Sequence, residues 1–371
     1  MIRSGLKRIY YKVIIRFFSN ESRCSIGEKE DNVQLVLDDS KKFVENYSEV
    51  SYISKTIILK DSTAKYKWVG AQYLNDQIIC IPNDETKVLF IDKKFEYKGD
   101  LSNNTFKWTG GVVWDGSVYA FPRSANSFLK INDREIKEII LTEYYEKEHH
   151  YSGVCTRDGV VYQSPRNTNH ILKTDLKTGV SKKIYIVNEK FKVKLRYCGN
   201  IIHPNGFIYF FPEQNGRVIE LNPKTDKWRF VGKTISTMCF EAKIGLDGNI
   251  YGYSAYCSGI MKIDVLNDKV EMIHKEIKPG AYGTKYGIDG CLYSIPGNGT
   301  KIYKYNVLKD SISILEDLND YSNAKYAGGV TTPNGDIICV PATSKKILLL
   351  KPNKKINIPN KIYNVLFSDN Y

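Results

Sequence analysis

One sequence pattern of about forty residues recurs along most of this chain, with different residues in each copy. Residues 106–132 read FKWTGGVVWDGSVYAFPRSANSFLKIN: a hydrophobic strand, an Asp-Gly turn, a second strand ending in proline, a polar loop and a third strand. The turn recurs at steps of 40, 43, 47, 42, 42 and 45 residues. Its positions are Asn75-Asp76, Asp115-Gly116, Asp158-Gly159, Asn205-Gly206, Asp247-Gly248, Asp289-Gly290 and Asn334-Gly335.

Three further sets of residues recur at corresponding positions of the copies, and each set is here called a column. A proline ends the second strand in six copies, at Pro82, Pro122, Pro165, Pro212, Pro296 and Pro341, and Ser254 takes its place in the fifth copy. Ten residues after that slot, six copies carry Asp92, Asn132, Asp175, Asn222, Asp264 or Asn306. Short Asx side chains bond backbone amides two residues on, so these residues are expected to close the turn from a third to a fourth strand.

An aromatic residue opens each first strand: Trp68, Trp108, Tyr151, Tyr197, Phe240, Tyr282 and Tyr326. We interpret this column as core, because sheets that pack face to face need bulk between them. The period and the columns together predict an all-β chain, a seven-bladed β-propeller with four-stranded antiparallel blades over residues 51–371. A ring of seven sheets leaves no sheet face uncovered.

The second-strand phrases DGSVYAFP, DGVVYQSP, NGFIYFFP and DGCLYSIP resemble those of seven-bladed propellers of the NHL, streptogramin-lyase and kelch-like sort, over about residues 52–351. The resemblance implies an architecture, and a fold by itself implies no activity. The seventh copy lacks the Asx residue of the third-to-fourth turn, so its outer strand is expected from elsewhere. SKTIILKD (residues 54–61) is predicted to close the ring, and KIYNVLF (residues 361–367) is the competing segment.

Residues 1–50 are predicted to form a basic amphipathic segment and a linker. Wound as a helix, residues 5–18 place Arg8, Lys12 and Arg16 on one stripe beside apolar residues. Such a segment could contact an anionic membrane surface or pack against the main domain, and both alternatives stay open. The eight cysteines show no metal-ligand spacing and several fall in apolar strands, so we expect buried thiols and a cytoplasmic protein, with membrane association as the alternative. Their even number leaves disulfides open as well.

A net charge of +13 favours anionic partners. Basic residues recur before the first strand and before the third strand, on loops that a propeller places over its central channel. The candidate ligand-binding residues are Lys67, Lys107, His150, Arg196, Lys325, Lys87, Arg123, Arg166, His170, Arg217, Lys301 and Lys346. The alternative interpretation is that these are solvated lysines and arginines of exposed loops.

Two functions fit this pattern. The first is a non-enzymatic recognition module that binds an anionic ligand over the channel: an acidic glycan, a phosphorylated group or an acidic protein segment. The alternative is a carbohydrate-active enzyme, a lyase or hydrolase of an acidic glycan, with His150, Tyr151 and Arg196 as catalytic residues. No metal site and no cofactor are predicted, and nucleic acid is disfavoured because the aromatics follow the packing column. The sequence predicts no oligomeric state.

Overall fold

The structure is a computed structural model that describes residues 30–59, 64–141, 149–187, 195–354 and 356–368. Within these ranges the chain is mainly β. It also has a helix α1 (Glu30–Asn46), which the sequence analysis did not predict, and a short helix α2 (Asn360–Ile362) that continues into a π-helical turn (Tyr363–Phe367). The amphipathic pattern predicted for residues 5–18 lies outside the described residues. No described helix has the length and the apolar composition needed to cross a membrane.

The strands, in chain order, are β1 (Tyr52–Ile58), β2 (Trp68–Leu74), β3 (Gln77–Pro82), β4 (Val88–Ile91), β5 (Phe95–Lys98), β6 (Trp108–Trp114), β7 (Ser117–Pro122), β8 (Ser127–Ile131), β9 (Ile136–Ile140), β10 (His149–Cys155), β11 (Val160–Thr168), β12 (His170–Asp175), β13 (Ser181–Tyr185) and β14 (Leu195–Ile202). They continue with β15 (Ile208–Pro212), β16 (Gly216–Leu221), β17 (Trp228–Ile235), β18 (Lys243–Ile244), β19 (Ile250–Tyr253), β20 (Ile260–Asp264), β21 (Lys269–Ile273), β22 (Ala281–Tyr286), β23 (Cys291–Pro296), β24 (Lys301–Asn306), β25 (Ser311–Asp317), β26 (Tyr326–Thr331), β27 (Ile337–Pro341) and β28 (Lys346–Pro352).

These strands form antiparallel units of four. The described chain contains the four-stranded sheets β2–β5, β6–β9, β18–β21, β22–β25 and β26–β28 with β1, and one larger sheet made of β10–β13 and β14–β17. In the larger sheet Arg166 of β11 pairs with Arg196 of β14, which joins the two units. The first strands contact their neighbours in turn: β2 contacts β6 and β26, β10 contacts β6 and β14, and β22 contacts β18 and β26. Cys198 Sγ of β14 bonds the carbonyl of Cys239, just ahead of β18, at 3.2 Å, so the first strands surround a central channel.

Local chemistry accounts for the turns. Asp115 and Gly116 both have positive φ in the two-residue turn between β6 and β7, a conformation that Asx and Gly adopt most easily. The predicted Asx turns between third and fourth strands are confirmed in five units. In these turns Oδ1 of Asn132, Asp175, Asn222, Asp264 or Asn306 accepts a backbone N–H two or three residues further on.

In every unit except β18–β21 the first strand pairs with the second through a bulge near the start of the first strand. Trp68 pairs with Pro82 and Trp108 with Pro122, and the register shifts by one before the next pair in each case. Gly70 and Gly110 lie in these bulges with positive φ. A Cβ on Gly70 would lie 2.9 Å from Cα of Gly110, so glycine permits the close approach of neighbouring first strands around the channel.

Ring closure follows the prediction made for residues 54–61, as far as these are described. Strand β1 pairs antiparallel with β28 from Tyr52 opposite Pro352 to Ile58 opposite Lys346. The competing segment at residues 361–367 is not a strand, because it forms α2 and the π-helical turn. An outer strand taken from the other end of the chain ties the N-terminal part to the last unit and pairs with the outer edge of β28.

Helix α1 and the C-terminal segment (residues 356–368) pack against the face that carries the first-to-second strand turns, here called the bottom face. Val44 of α1 is buried against the turn at Gly290, and Tyr363 Oη donates to the carbonyl of Thr331 at 2.6 Å. Leu366 and Phe367 are buried beside the ends of first strands, where Phe367 contacts Tyr286. The C-terminal segment therefore covers the bottom end of the central channel.

Candidate functional site

The first strands enclose a central cavity of about 430 Å³. Its floor includes Leu366 and Ser368 of the C-terminal segment, and its wall includes the bulge glycines Gly70, Gly110 and Gly328. At the opposite end it reaches the loops that join second to third strands, where Arg123 and Arg166 lie. That end is here called the mouth. A cavity of this size, closed below and lined by apolar and polar groups, has the dimensions of a small-molecule site.

Strand register decides which first-strand residues face the cavity. The residue opposite the proline packs between sheets, and the next residue faces the channel, because successive side chains of a strand point to opposite faces. His150 is opposite Pro165 and Ala281 is opposite Pro296, so the core positions of these units hold His150 and Ala281. Tyr151 and Tyr282 come one residue later and line the cavity.

The prediction that the whole aromatic column is core therefore needs correction. Trp68, Trp108, Tyr197 and Tyr326 are buried between sheets as predicted. Tyr151, Phe240 and Tyr282 line the cavity instead. The assignment of Phe240 follows from a backbone hydrogen bond. Ala255 N–H donates to the carbonyl of Met238, just as Arg123 N–H donates to the carbonyl of Lys107. Met238 therefore corresponds to Lys107 and Cys239 to the core residue Trp108, so Phe240 is the next residue and faces the cavity.

Aromatic rings surround much of the mouth. Phe240 stacks on Tyr151 with ring centroids 5.7 Å apart and packs edge-on against Tyr282 at 5.2 Å. Tyr66 and Phe106, each two residues ahead of a buried tryptophan, form another pair at 5.6 Å and line the same cavity. We name these five residues, Tyr66, Phe106, Tyr151, Phe240 and Tyr282, the aromatic collar.

Two arginines lie over the aromatic collar. The guanidinium carbon of Arg123 is 4.5 Å from the ring centroid of Phe106 and 5.1 Å from that of Tyr151. The guanidinium carbon of Arg166 is 4.6 Å from the ring centroid of Tyr151. Stacking on aromatic rings holds each planar cation in place and leaves its N–H edge available to an anion.

The two arginines differ in charge balance. Arg166 Nη2 lies 3.2 Å from Oε1 of Glu213, a buried carboxylate that also lies 4.0 Å from Nη1 of Arg196. Arg123 has no ion pair with any carboxylate in the described ranges. The positive charge at the mouth is therefore centred on Arg123.

The deeper part of the cavity carries a second charged group. Lys285 is almost completely buried and forms an ion pair with Oε1 of Glu241, whose Oε2 accepts the N–H of Thr284 at 3.3 Å. Lys243 also lines the cavity and reaches the carbonyl of Ser368 in the floor at 3.4 Å. Among the described residues, four cations, Arg123, Arg166, Lys243 and Lys285, thus line the cavity against one carboxylate, Glu241.

Three predicted rim lysines prove to be interior residues. Lys67 Nζ donates to the carbonyls of Thr343 and Ser344 at 3.0 and 3.2 Å in the neighbouring unit. Lys107 Nζ donates to the carbonyl of Asn104 at 2.8 Å and Lys325 Nζ to that of Ser322 at 3.0 Å. None of the three lines the cavity, and burial lowers the pKa of each ammonium. The prediction that these lysines raise their charges to the channel rim is wrong, because carbonyl groups of the loops bind the ammonium groups instead.

The predicted histidines are also packed away from the cavity. His150 fills the core position of its sheet, with its ring 5.1 Å from that of His170. His170 is bonded to Oγ1 of Thr168 at 2.7 Å. Burial lowers the pKa of His150 well below its ordinary value and that of His170 to about 4, so both are neutral near pH 7.

The other predicted residues are spread over the surface. Arg196 has a side chain 51% exposed and does not line the cavity. Arg217 is exposed and donates to the carbonyl of Gly232 at 2.8 Å, while Lys87 and Lys346 are exposed and Lys301 is half-buried. Of the twelve predicted ligand-binding residues, Arg123 and Arg166 line the cavity, and of the three predicted catalytic residues only Tyr151 does.

Several lining residues were not singled out from the sequence. Tyr66 and Phe106 stand at the same place in two copies, two residues ahead of Trp68 and Trp108, and that repetition was a usable signal. Lys243 and Lys285 also repeat, since each stands four residues ahead of an Asp-Gly turn in neighbouring copies. Glu241 has no counterpart in the other copies, so departure from the repeat is the only signal that the sequence gives for it.

Comparison with known proteins supports the fold. No protein-family model matches the chain, and no curated protein matches it by sequence. Among solved structures, a catalytically inactive virginiamycin B lyase from Staphylococcus aureus with quinupristin gives a TM-score of 0.68 at 13% identity, covering 81% of this chain and 99% of that one. A streptogramin B lyase gives 0.67 at 14% identity, covering 81% of this chain and 98% of that one.

A third similar structure is the extracellular domain assigned to a one-component system of B. thetaiotaomicron. Its TM-score is 0.60 at 12% identity, covering 80% of this chain and 39% of that one. All three comparisons show a shared fold. The chain thus has the β-propeller fold that these structures share, built from four-stranded antiparallel sheets. The neighbours' activities do not follow from the fold alone.

Proposed function

We propose that this protein is a non-enzymatic recognition module that binds an anionic ligand in the central cavity of a seven-bladed propeller. Each four-stranded unit is one blade, and β10–β13 and β14–β17 count as two blades joined at Arg166 and Arg196. The main observation in support of this function is the position of Arg123 and Arg166 over the Tyr151 ring at the mouth. Guanidinium groups held in this way present paired N–H donors to a carboxylate or phosphate.

The charge of the cavity supports this function. In the part of the chain that the structure describes, four cations against one carboxylate give the lining a net positive charge, and low-dielectric walls strengthen the field inside a cavity that is closed below. The ligand classes that fit are an acidic glycan, a phosphorylated group or the end of an acidic protein segment. A cavity of about 430 Å³ is too small for a nucleic acid duplex. Cytoplasmic localisation is part of the proposal and rests on the cysteine pattern.

The enzymatic alternative has less support: Tyr151 and Glu241 line the cavity and belong to types that can act as acid or base, but the predicted His150 does not line it. A lyase or hydrolase needs an acid or base that reaches the bound substrate. His150 and His170 pack between strands, and no histidine of the described ranges lines the cavity. The resemblance to lyases is one of fold. The hypothesis of a carbohydrate-active enzyme is therefore kept as an outcome that the experiment can detect.

The test is a binding array of acidic glycans, phosphorylated peptides and acidic peptides on the full chain, read together with absorbance for unsaturated products. We expect at least one anionic probe to bind, with affinity that falls as salt is raised. Arg123→Met should weaken that probe at least tenfold, whereas Lys137→Met, which removes an exposed lysine of the outer strand β9, should not. No anionic binder, or a binder indifferent to Arg123, would overturn the proposal, and product formation would establish the enzyme instead.

A further inference from the structure

The wall of the cavity mouth differs from one unit to another. Ala324 and Ala342 of the last unit line the cavity at the positions that Phe106 and Arg123 hold in the second unit, and the backbone hydrogen bonds at these positions are equivalent in the two units. A methyl group therefore stands where the second unit has an aromatic ring or a guanidinium group. These short side chains leave space at the mouth for the body of a ligand.

The aromatic collar presents flat apolar surfaces to that space. Tyr66, Phe240 and Tyr282 are half-buried, Phe106 is 36% exposed, and all four line the cavity, so the surrounding sheets leave them partly accessible. Neighbouring collar rings already pair with one another, Phe240 with Tyr282 edge-on and Tyr66 with Phe106 in a tilted arrangement. A planar aromatic ring on the ligand would extend these pairs, because aromatic rings favour edge-on and offset contacts.

The positive charge of the mouth lies at the level of these rings. The guanidinium group of Arg123 contacts Phe106 and Tyr151, which both belong to the aromatic collar. An acid group that binds Arg123 is therefore held beside the collar, so the ring of the ligand and its acid group must be close to each other. Glu213 balances the charge of Arg166, and the acid group consequently meets mainly the charge of Arg123.

A ligand rich in hydroxyl groups fits this mouth less well. Hydroxyl groups radiate from the edge of a sugar ring, and in this space they would meet the methyl groups of Ala324 and Ala342. A polar group that is buried without a hydrogen bond lowers affinity, whereas the C–H edge of an aromatic ring needs no such partner. The apolar surroundings of Arg123 thus favour an aromatic ring over a sugar ring.

From these features we infer that the mouth binds an aromatic acid: a small molecule whose planar aromatic ring carries a carboxylate or a phosphate, directly or through a short linker. Arg123 binds the acid group, the aromatic collar packs on the ring, and Ala324 and Ala342 leave room for it. The cavity volume of about 430 Å³ lies near the lower end of small-molecule sites and suits one such molecule. This inference rests on the proposed function and adds the requirement for a ring to the requirement for an anion.

The experiment is calorimetric titration of the full chain with six probes at one ionic strength: benzoate, cyclohexanecarboxylate, phenyl phosphate, cyclohexyl phosphate, benzamide and glucuronate. We expect one of the two aromatic acids to bind about fivefold or more tighter than its saturated counterpart, since the ring contacts are lost in the latter. The same acid should bind about tenfold or more tighter than the neutral benzamide and than glucuronate. Comparison of benzoate with phenyl phosphate then assigns the acid group as a carboxylate or a phosphate.

Two variants separate the ring from the charge. Tyr282→Leu removes a collar ring that does not carry an arginine, so it should reduce the preference for the aromatic acid over its saturated counterpart to about twofold or less and keep the preference over benzamide. Arg123→Met should reduce the preference over benzamide to about threefold or less. Lys137→Met, on the outer strand β9, should preserve both preferences. A cooperative melting curve for each variant verifies that it is folded.

The two proposals fail in different ways. If a saturated acid or glucuronate binds as tightly as the aromatic acids and depends on Arg123, the cavity is an anion site without preference for a ring, and the aromatic inference is overturned while the proposed function stands. If benzamide binds as tightly as the aromatic acids with no effect of Arg123→Met, both are overturned. If neither aromatic acid binds to the folded chain, the aromatic inference is overturned and the array of anionic probes decides the proposed function.

Discussion

Arg123 and Tyr151 come from neighbouring sheets, and the guanidinium carbon of the first lies 5.1 Å from the ring centroid of the second. Arg123 follows Pro122 at the end of β7, and Tyr151 is the third residue of β10. Arg166, which follows Pro165 within β11, lies over the same ring at 4.6 Å. A single tyrosine thus positions both cations of the mouth.

The first prediction concerns that tyrosine. Tyr151→Leu should weaken binding of the anionic probe about threefold to thirtyfold, since cation–π contacts contribute on the order of 0.5–2 kcal/mol. The salt dependence of binding should change little, because both arginines keep their charge. Tyr151→Phe keeps the ring face and should bind as the unchanged protein does. Equal losses in both variants would show that the hydroxyl group, and not the ring, acts on the ligand.

Lys67→Met provides the second prediction. The substitution removes an ammonium group that binds carbonyls of Thr343 and Ser344, so these carbonyls lose a buried donor. We expect a loss of about 1–3 kcal/mol in the free energy of unfolding and unchanged anion affinity. Lys87→Met is the matched control, because that lysine is exposed. Chemical denaturation measures the stability, and titration measures the affinity. A variant with unchanged stability and weakened binding would show instead that Lys67 binds the ligand.

The repeat could be predicted from the sequence because each unit must bury two sheet faces and therefore spaces its turns, prolines and Asx residues alike. The orientation of single residues could not be read from the same columns. In the first unit Leu74 pairs with Gln77 across a two-residue turn, whereas in the third Cys155 pairs with Val161 across five residues. The core residue therefore lies 14 positions ahead of the proline in the first unit and 15 in the third.

Because Tyr151 was aligned with Trp68 by residue type, the sequence analysis assigned its side chain to the core face of the sheet and not to the cavity face. The longer turns, such as TRDGV at residues 156–160, are visible in the sequence and would have corrected the alignment. The burial of Lys67 could not be foreseen in this way, because it depends on carbonyls that lie 276 and 277 residues away in the chain. Contacts made by ring closure are not encoded in the local repeat.

Acid should destabilise the fold through its buried histidines, which is the third prediction. Burial lowers the pKa of His170 to about 4 and also lowers those of His150 and His203, so the folded chain binds fewer protons than the unfolded chain. Stability is then fully present above about pH 6.5 and is lost progressively as the pH falls toward about 4. Denaturation midpoints at pH 7 and pH 5 measure this loss.

The double variant His150→Gln with His170→Gln separates these histidines from the carboxylates, which also titrate in acid. Its stability should fall less between pH 7 and pH 5 than that of the unchanged chain, with the remaining part due to His203 and the carboxylates. Lys137→Gln is the control for substitution as such, because that side chain is exposed on the outer strand β9. An identical pH dependence in the double variant would show that the buried pair does not control acid stability.

Tyr52→Phe gives the fourth prediction. Tyr52 opens the closing strand β1, and its buried hydroxyl accepts the N–H of Ile288 at 3.0 Å and donates to the carbonyl of Gly335 at 2.8 Å. Loss of the hydroxyl leaves both backbone groups unpaired between two sheets, so the free energy of unfolding should fall by about 1–3 kcal/mol. Tyr321→Phe removes an exposed hydroxyl and should leave the melting temperature unchanged. Equal melting temperatures for both variants would contradict the role of Tyr52.

The last prediction concerns the floor of the cavity. Ending the chain after Pro359 removes Leu366 and Phe367, both buried, and uncovers the carbonyl of Thr331 that Tyr363 Oη binds. Each large apolar side chain lost from the interior contributes about 1.5–3 kcal/mol, so the melting temperature should drop markedly. Hydrogen exchange should quicken at Tyr286 and Thr331, beside the removed segment, and not in β6–β9. Lys361→Ala is the control, because that side chain is exposed within the same segment, and it should change neither measurement. Unchanged exchange at Tyr286 in the shorter chain would show that the C-terminal segment does not close the channel.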